Sequence, residues 1–141
     1  MIVQTSCTVF GVNLLSGLEN FTLTSPYVYK IALYNANADL NNATTTYTTV
    51  NEITGVGYAA GGKILTPTFL GSDTTNNTAF VSFGDVNWIP ASFTARGALI
   101  YNSTTNAAVF VLNFGSDKTS TSTFTVTFPT ADSTNAIIRI T

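Results

Sequence analysis

The sequence predicts a mainly β protein, an antiparallel sandwich or barrel in one domain spanning residues 1–141, with a short helix near its start. Apolar and polar residues alternate with a period of two in several segments, as they do in half-buried strands. Clusters of Gly, Asn, Asp and Pro separate these segments at intervals of roughly 8 to 15 residues, which is typical of antiparallel architectures. Threonine, whose branched side chain suits the solvent face of a strand, is abundant throughout.

Residues 1–26 are predicted to form an N-terminal segment that contains the helix. Apolar side chains recur there at the spacing of one helix face: Phe10, Leu14, Leu15, Leu18 and Phe21. We therefore expect a helix over residues 8–20, with Ser6 or Thr8 capping its start. Gly11 and Gly17 weaken this helix, so we expect it to be short.

Residues 27–141 are predicted to form the sandwich, with about eight strands. Alternation marks five segments in particular: 27–34, 78–83, 107–114, 123–128 and 136–140. In the fourth of these, Phe124, Val126 and Phe128 face one way and three threonines face the other. The polar stretch 41–49 is expected to be a long loop or an irregular sheet edge.

Charge is scarce in this chain. Five basic and seven acidic residues make up 9% of the sequence, against about a quarter in an ordinary domain, and there is no histidine. The net charge of −2 and the lack of a basic cluster argue against nucleic-acid binding. A polar but nearly uncharged surface can pack against other chains without desolvating ions. We therefore expect the protein to work in contact with other chains.

The same deficit argues against an enzyme, because acid/base catalysis near neutral pH most often uses histidine. The candidate carboxylates are Glu19, Asp39, Glu52, Asp73, Asp85, Asp117 and Asp132. Four of them lie beside turn glycines or in Ser/Thr/Asn runs, where aspartate commonly accepts local backbone N–H bonds. Glu52 precedes a Gly-Val-Gly stretch and is less routine, but one carboxylate makes no acid/base pair.

No cofactor, metal site or membrane span is expected. The chain has no phosphate loop, dinucleotide fingerprint or zinc spacing. Asp39 and Asp73 have neighbouring asparagines that could ligate calcium, but their spacing does not match an EF-hand. Cys7 is the only cysteine and is expected to be a small buried hydrophobe. No run of about 18 apolar residues predicts a transmembrane helix, and the first residues lack the pattern of a signal peptide.

Three residues are candidates for an interface with another chain. Trp88 and Tyr101 could anchor it, since aromatic residues are enriched at interface centres, although partly buried aromatics are at least as good an interpretation. Arg96 is one of five basic residues, and we expect it to have a dedicated carboxylate partner within the subunit or across an interface.

Four stretches of the chain resemble a family of small structural proteins of tailed bacteriophages. They are residues 29–34 (YKIALY), residues 47–62 with the run YTTVNEITGVGY, residues 93–102 (FTARGALIYN) and residues 124–140. Members with a capsid role are similar to cement, or decoration, proteins. The resemblance implies a jelly-roll-like β-sandwich that forms a homo-oligomer at symmetry axes and binds the major capsid protein on the outer surface of the virion. Three-fold capsid sites favour a trimer over a dimer.

The expected function is therefore that of a capsid cement protein, which stabilises an assembled shell by binding to it. Two alternatives remain open. The protein could be a structural component of the tail, neck or baseplate, which would be present in far fewer copies per particle. It could also be a virion carbohydrate-binding module, because jelly rolls include lectins and exposed aromatic residues can stack on sugars.

Overall fold

The computed structural model describes the backbone of residues 1–141 and every side chain except that of Phe69. It is mainly β, with one helix and antiparallel pairing between all its strands. The elements in chain order are β1 (Thr5–Ser6), α1 (Thr8–Leu15), β2 (Tyr29–Tyr34), β3 (Lys63–Leu65), β4 (Pro67–Asp73), β5 (Thr78–Phe83), β6 (Val86–Trp88), β7 (Phe93–Asn102), β8 (Ala107–Ser120), β9 (Phe124–Val126) and β10 (Ile138–Ile140). The mainly β prediction is confirmed.

The strands form three sheets. A five-stranded sheet has the order β1-β8-β7-β2-β3, a three-stranded sheet has the order β10-β5-β4, and β6 pairs with β9. Side chains from all three sheets contribute to one hydrophobic core cluster. The ten strand segments exceed the expected eight because β1, β3 and β6 are two or three residues long and carry little alternation.

The helix ends earlier than the sequence predicts. It spans Thr8–Leu15 rather than residues 8–20. Gly17 has a left-handed φ of +79°, and a right-handed helix cannot continue through this conformation. The N-cap residue is Cys7, with no side-chain capping hydrogen bond, so neither Ser6 nor Thr8 caps this helix. Phe21 still enters the core, because it reaches it from the turns after the helix.

Strand β2 lies inside the five-stranded sheet between β3 and β7, and it is buried on both faces. Four consecutive residues of this strand are fully buried: Ile31, Ala32, Leu33 and Tyr34. This burial explains why the residues that point to either face of the strand are apolar. Residues 46–53 run along the end of this sheet as an irregular edge. They pair through isolated bridges from Thr46 to Ala107 and from Glu52 to Tyr34.

Candidate functional site: the groove between α1 and β10

The helix α1 leaves apolar side chains in solvent. Only Phe10 of its eight residues is buried, while Leu15 is 91% exposed and Val12 is also exposed. No acidic residue lies in its first turn and no basic residue in its last. These exposed apolar side chains are available for contact with another molecule.

A groove of about 750 Å³ separates α1 from β10. We call it the α1–β10 groove and define it by residues 6–8, the α1 residues Phe10, Gly11, Leu14 and Leu15, Phe110 of β8, and residues 137–141. Arg139 is the one charged residue among them. The groove is therefore a mainly apolar channel with a single cation in its wall.

The apolar surface continues past β10 onto the three-stranded sheet. A small cleft of about 80 Å³ shares Phe10, Leu14, Ile138 and Ile140 with the α1–β10 groove and extends to Leu70 and Ala79. Leu70 and Ile140 are each about half exposed, at 53% and 51%. The groove and the cleft thus form one connected aliphatic surface. No local pattern in the sequence predicts it.

The two aromatic interface candidates are core residues. Trp88 is 1% exposed and Tyr101 is 3% exposed. Trp88 packs among Tyr58, Phe93 and Phe124, and the Tyr101 hydroxyl donates a hydrogen bond to the Gly61 carbonyl oxygen at 2.7 Å. The expectation that they anchor an interface is corrected, because neither side chain reaches the surface of its own chain.

Arg96 has the carboxylate partner that its rarity suggested, and this partner is within the subunit. Its Nε lies 2.9 Å from Oδ1 of Asp117, across the β7–β8 pair. Both side chains are at least a third exposed, so the pair contributes little to stability.

Glu52 organises the segment that covers the edge of β2. Its carboxylate accepts hydrogen bonds from the hydroxyls of Tyr47 and Tyr58, each at 2.6 Å, and from the Gly61 N–H at 2.8 Å. The Tyr58 hydroxyl also accepts the Leu33 N–H at 2.8 Å. Burial and the neighbouring Glu52 charge raise the pKa of Tyr101 to about 12, so this tyrosine stays protonated. Glu52, the carboxylate before the Gly-Val-Gly stretch, thus has a structural role.

Glu19 is a buried acid, and its sequence neighbours gave no sign of that burial. It is 7% exposed, and its Oε2 accepts the Tyr29 hydroxyl at 2.7 Å and the Asn102 amide at 3.3 Å. Burial raises the pKa of Glu19 above its usual range, and these hydrogen bonds oppose that rise. Its second oxygen, Oε1, is buried without a hydrogen-bond partner among the described residues. Its contacts tie the turn after α1 to the sheet.

Two of the aspartates, Asp73 and Asp132, accept local backbone N–H bonds as their neighbours in the sequence predicted, whereas Asp85 accepts the distant Phe128 N–H. Asp73 accepts the N–H groups of Thr75 and Asn76 and the Ser133 hydroxyl, which lowers the pKa of Asp73 to about 2. Asp132 accepts the N–H groups of Thr134 and Asn135. Within the described part of the chain, no group of three or more Cys, Asp or Glu side chains is arranged to hold a metal ion.

Two further observations bear on the alternatives. Every aromatic side chain that the structure describes is buried or half-buried. Among the described residues, the one helix is too short to cross a membrane. Cys7 is buried, which raises the pKa of its thiol to about 11 and keeps the reactive thiolate scarce near neutral pH.

Comparisons with family models, with curated proteins and with solved structures found no match for this chain.

Proposed function

We propose that this chain is a structural protein of a bacteriophage virion, a capsid cement protein that binds the outer surface of the shell and stabilises it. The observation that carries the proposal is the connected aliphatic surface of the α1–β10 groove and its neighbouring cleft, on a chain with only 9% charged residues. A free soluble protein normally covers such a surface and carries more charge. A protein that is permanently packed against other chains has its apolar surface covered by them and does not need a high charge to stay in solution.

The physical mechanism is linkage through binding. A protein that binds only the assembled shell shifts the equilibrium toward that shell, by an amount set by its concentration and affinity. Uncharged threonine and asparagine side chains can meet a neighbour without the desolvation cost of ions. Because capsid symmetry repeats each contact many times, modest individual contacts add up to tight retention through avidity.

The roles of the carboxylates favour a structural protein over an enzyme. Glu52, Asp73 and Asp132 accept hydrogen bonds that fix turns and loop edges, and Asp117 pairs with Arg96. Carboxylates engaged in this way hold the fold together and are poorly placed to transfer protons to a substrate.

We further propose that the three sheets form a jelly-roll-like sandwich and that the protein acts as a homo-oligomer, a trimer on a three-fold site. The shared core of the three sheets supports the sandwich. Native mass spectrometry of the purified protein checks the oligomer, with a trimer as the expected species. A strictly monomeric protein at micromolar concentration would count against this part of the proposal.

Particles assembled without the protein test the function. We expect such particles to lose genome at a lower temperature and after milder osmotic shock than complete particles, and to regain resistance when purified protein is added back. Add-back of Leu15→Asp should fail, because a charge on this 91% exposed groove residue disrupts an aliphatic contact. Val50→Asp is the matched control at an exposed site outside the groove. Equal resistance with and without the protein would refute the cement role.

A further inference from the structure

Two sheet edges border the α1–β10 groove. Strand β10 is an outer strand of the three-stranded sheet, and β1 is an outer strand of the five-stranded sheet. Residues 137–141 all line the groove, although successive side chains of a strand point to opposite faces. A groove lined by consecutive residues therefore runs along the edge of β10, where its backbone groups lie.

The outer edge of β10 is unpaired. On its inner edge β10 pairs with β5, with Ile138 opposite Val81 and Ile140 opposite Ala79. In the part of the chain that the structure describes, no backbone hydrogen bond joins the outer edge of β10 to another segment. On the facing wall, by contrast, the N–H groups of Cys7 and Thr8 are bonded to Val109 and Asn42. The outer edge of β10 therefore offers free backbone groups to the groove.

Proteins usually protect such an edge with prolines, bulges or several charges. Here Arg139 is the only charged residue of the strand, between two isoleucines. Its guanidinium donates to the Thr134 carbonyl oxygen and forms no ion pair with any described carboxylate. The nearby Asp132, whose pKa the arginine helps to lower, is already engaged by the Asn135 amide and backbone. Arg139 therefore has donors left for a carboxylate from another molecule.

We propose that the α1–β10 groove binds an extended segment of another protein, which adds to the outer edge of β10 as a strand. Its aliphatic side chains pack against Leu14 and Leu15 of α1, and an acidic side chain pairs with Arg139. Five consecutive groove residues fit a bound segment of about five residues, roughly 16 Å long. The inference goes beyond the cement role, because the chemistry of the groove defines the occupant wherever the protein acts.

A different protein fits this description better than a second copy. Among the exposed acids of this chain, Asp117 is paired with Arg96 and Asp39 lies near the N-terminal ammonium group, at 3.6 Å. Asp73 and Asp132 are held in turns by their own backbone. Asp85, between β5 and β6, accepts the Phe128 N–H at 2.9 Å. Each of these five carboxylates is therefore already engaged within its own chain.

The test uses a synthetic, end-capped peptide of alternating valine and threonine with one central aspartate, and the same peptide with asparagine instead. Binding to the ¹⁵N-labelled full chain is followed by NMR at up to millimolar peptide. We expect the backbone amides of residues 137–141 to shift and to exchange more slowly. We expect the aspartate peptide to bind about tenfold more tightly than the asparagine peptide, the gain typical of one charge-assisted hydrogen bond.

Three variants make the test specific. Gly11→Trp should abolish binding, since a Cβ at Gly11 meets open space in the groove wall and a large ring there fills the channel. Val12→Trp, on the same helix but outside the groove, should bind normally. Arg139→Gln should bind both peptides equally and as weakly as the asparagine peptide binds the parent chain.

Absence of binding to the parent chain, or equal binding by Gly11→Trp and Val12→Trp, would overturn the proposal. So would shifts confined to residues outside the groove. If the groove amides are instead protected without peptide, in a concentration-dependent way that Gly11→Trp removes, a second copy is the occupant and the proposal is also overturned.

Discussion

The hydrogen bonds around Glu52 allow a quantitative prediction with an internal comparison. Tyr47 and Tyr58 each donate one hydrogen bond of 2.6 Å to the same carboxylate. The Tyr58 hydroxyl oxygen also accepts the N–H of Leu33, a fully buried residue of β2. The Gly61 N–H beside the Tyr47 hydroxyl, by contrast, keeps the Glu52 carboxylate as its acceptor at 2.8 Å when Tyr47 is changed. Changing either tyrosine to phenylalanine therefore removes one hydrogen bond to Glu52. The change at Tyr58 also leaves the Leu33 N–H without an acceptor.

The expected magnitudes follow from these contacts. Loss of one hydrogen bond to a charged, half-buried acceptor costs about 1.5 kcal/mol, which is our expectation for Tyr47→Phe. Tyr58→Phe carries the same loss and leaves the Leu33 N–H unsatisfied, which adds about 2 kcal/mol. We thus expect Tyr58→Phe to destabilise the protein by about 3.5 kcal/mol, more than twice the effect of Tyr47→Phe.

Urea denaturation followed by tryptophan fluorescence measures both values, since Trp88 is the only tryptophan and is buried beside Tyr58. Tyr27→Phe is the control, because the hydroxyl of this half-buried tyrosine forms no hydrogen bond with the described residues. We expect it to stay within about 0.5 kcal/mol of the parent chain. Equal losses for Tyr47→Phe and Tyr58→Phe would refute the assignment of a backbone-capping role to Tyr58.

Further predictions concern the buried acid, the thiol and two glycines. Because burial raises the folded-state pKa of Glu19 above the unfolded value, stability should fall as pH rises from about 4.3 through the folded pKa, and Glu19→Gln should flatten this fall in urea titrations from acid to neutral pH. With its pKa raised to about 11, the Cys7 thiol should react with iodoacetamide at pH 8 about a hundredfold more slowly than a free thiol, and unfolding should abolish that protection. Gly62→Ala should cost more than about 3 kcal/mol in urea denaturation, because its Cβ would lie 1.8 Å from the Ile31 carbonyl oxygen at a φ of +73°. Gly11→Ala, whose Cβ meets open space, should instead gain about 0.5–1 kcal/mol in the same assay from its helical position.

Local patterns predicted much of the fold. The alternation in residues 78–83 gave the bounds of β5, and Phe124, Val126 and Phe128 are buried with exposed threonines between them. The sequence predicts the helix but overestimates its length. The apolar spacing continues to Leu18 and Phe21, although the helix ends before Gly17. Periodicity identifies apolar faces, and it does not distinguish a helix turn from a chain that returns to the core by another path.

The candidate site could not be predicted in the same way. The α1–β10 groove joins residues 6–15 to residues 137–141, and no local pattern records that these ends of the described chain lie together. The sequence does place several apolar residues on the predicted helix. It does not show that Phe10 is buried while Leu15 is left exposed to solvent. Residue type alone suggests Trp88 and Tyr101 as interface anchors, but their burial depends on aromatic neighbours from distant segments.

The copy number of the protein in purified virus particles tests the central claim most directly. Quantitative mass spectrometry against the major shell protein gives the ratio. The cement role predicts a ratio near one to one, or a simple fraction of it. A dozen copies or fewer per particle would contradict the cement role and move the protein to the neck, tail or baseplate. Complete absence from particles would contradict a structural role in the virion altogether.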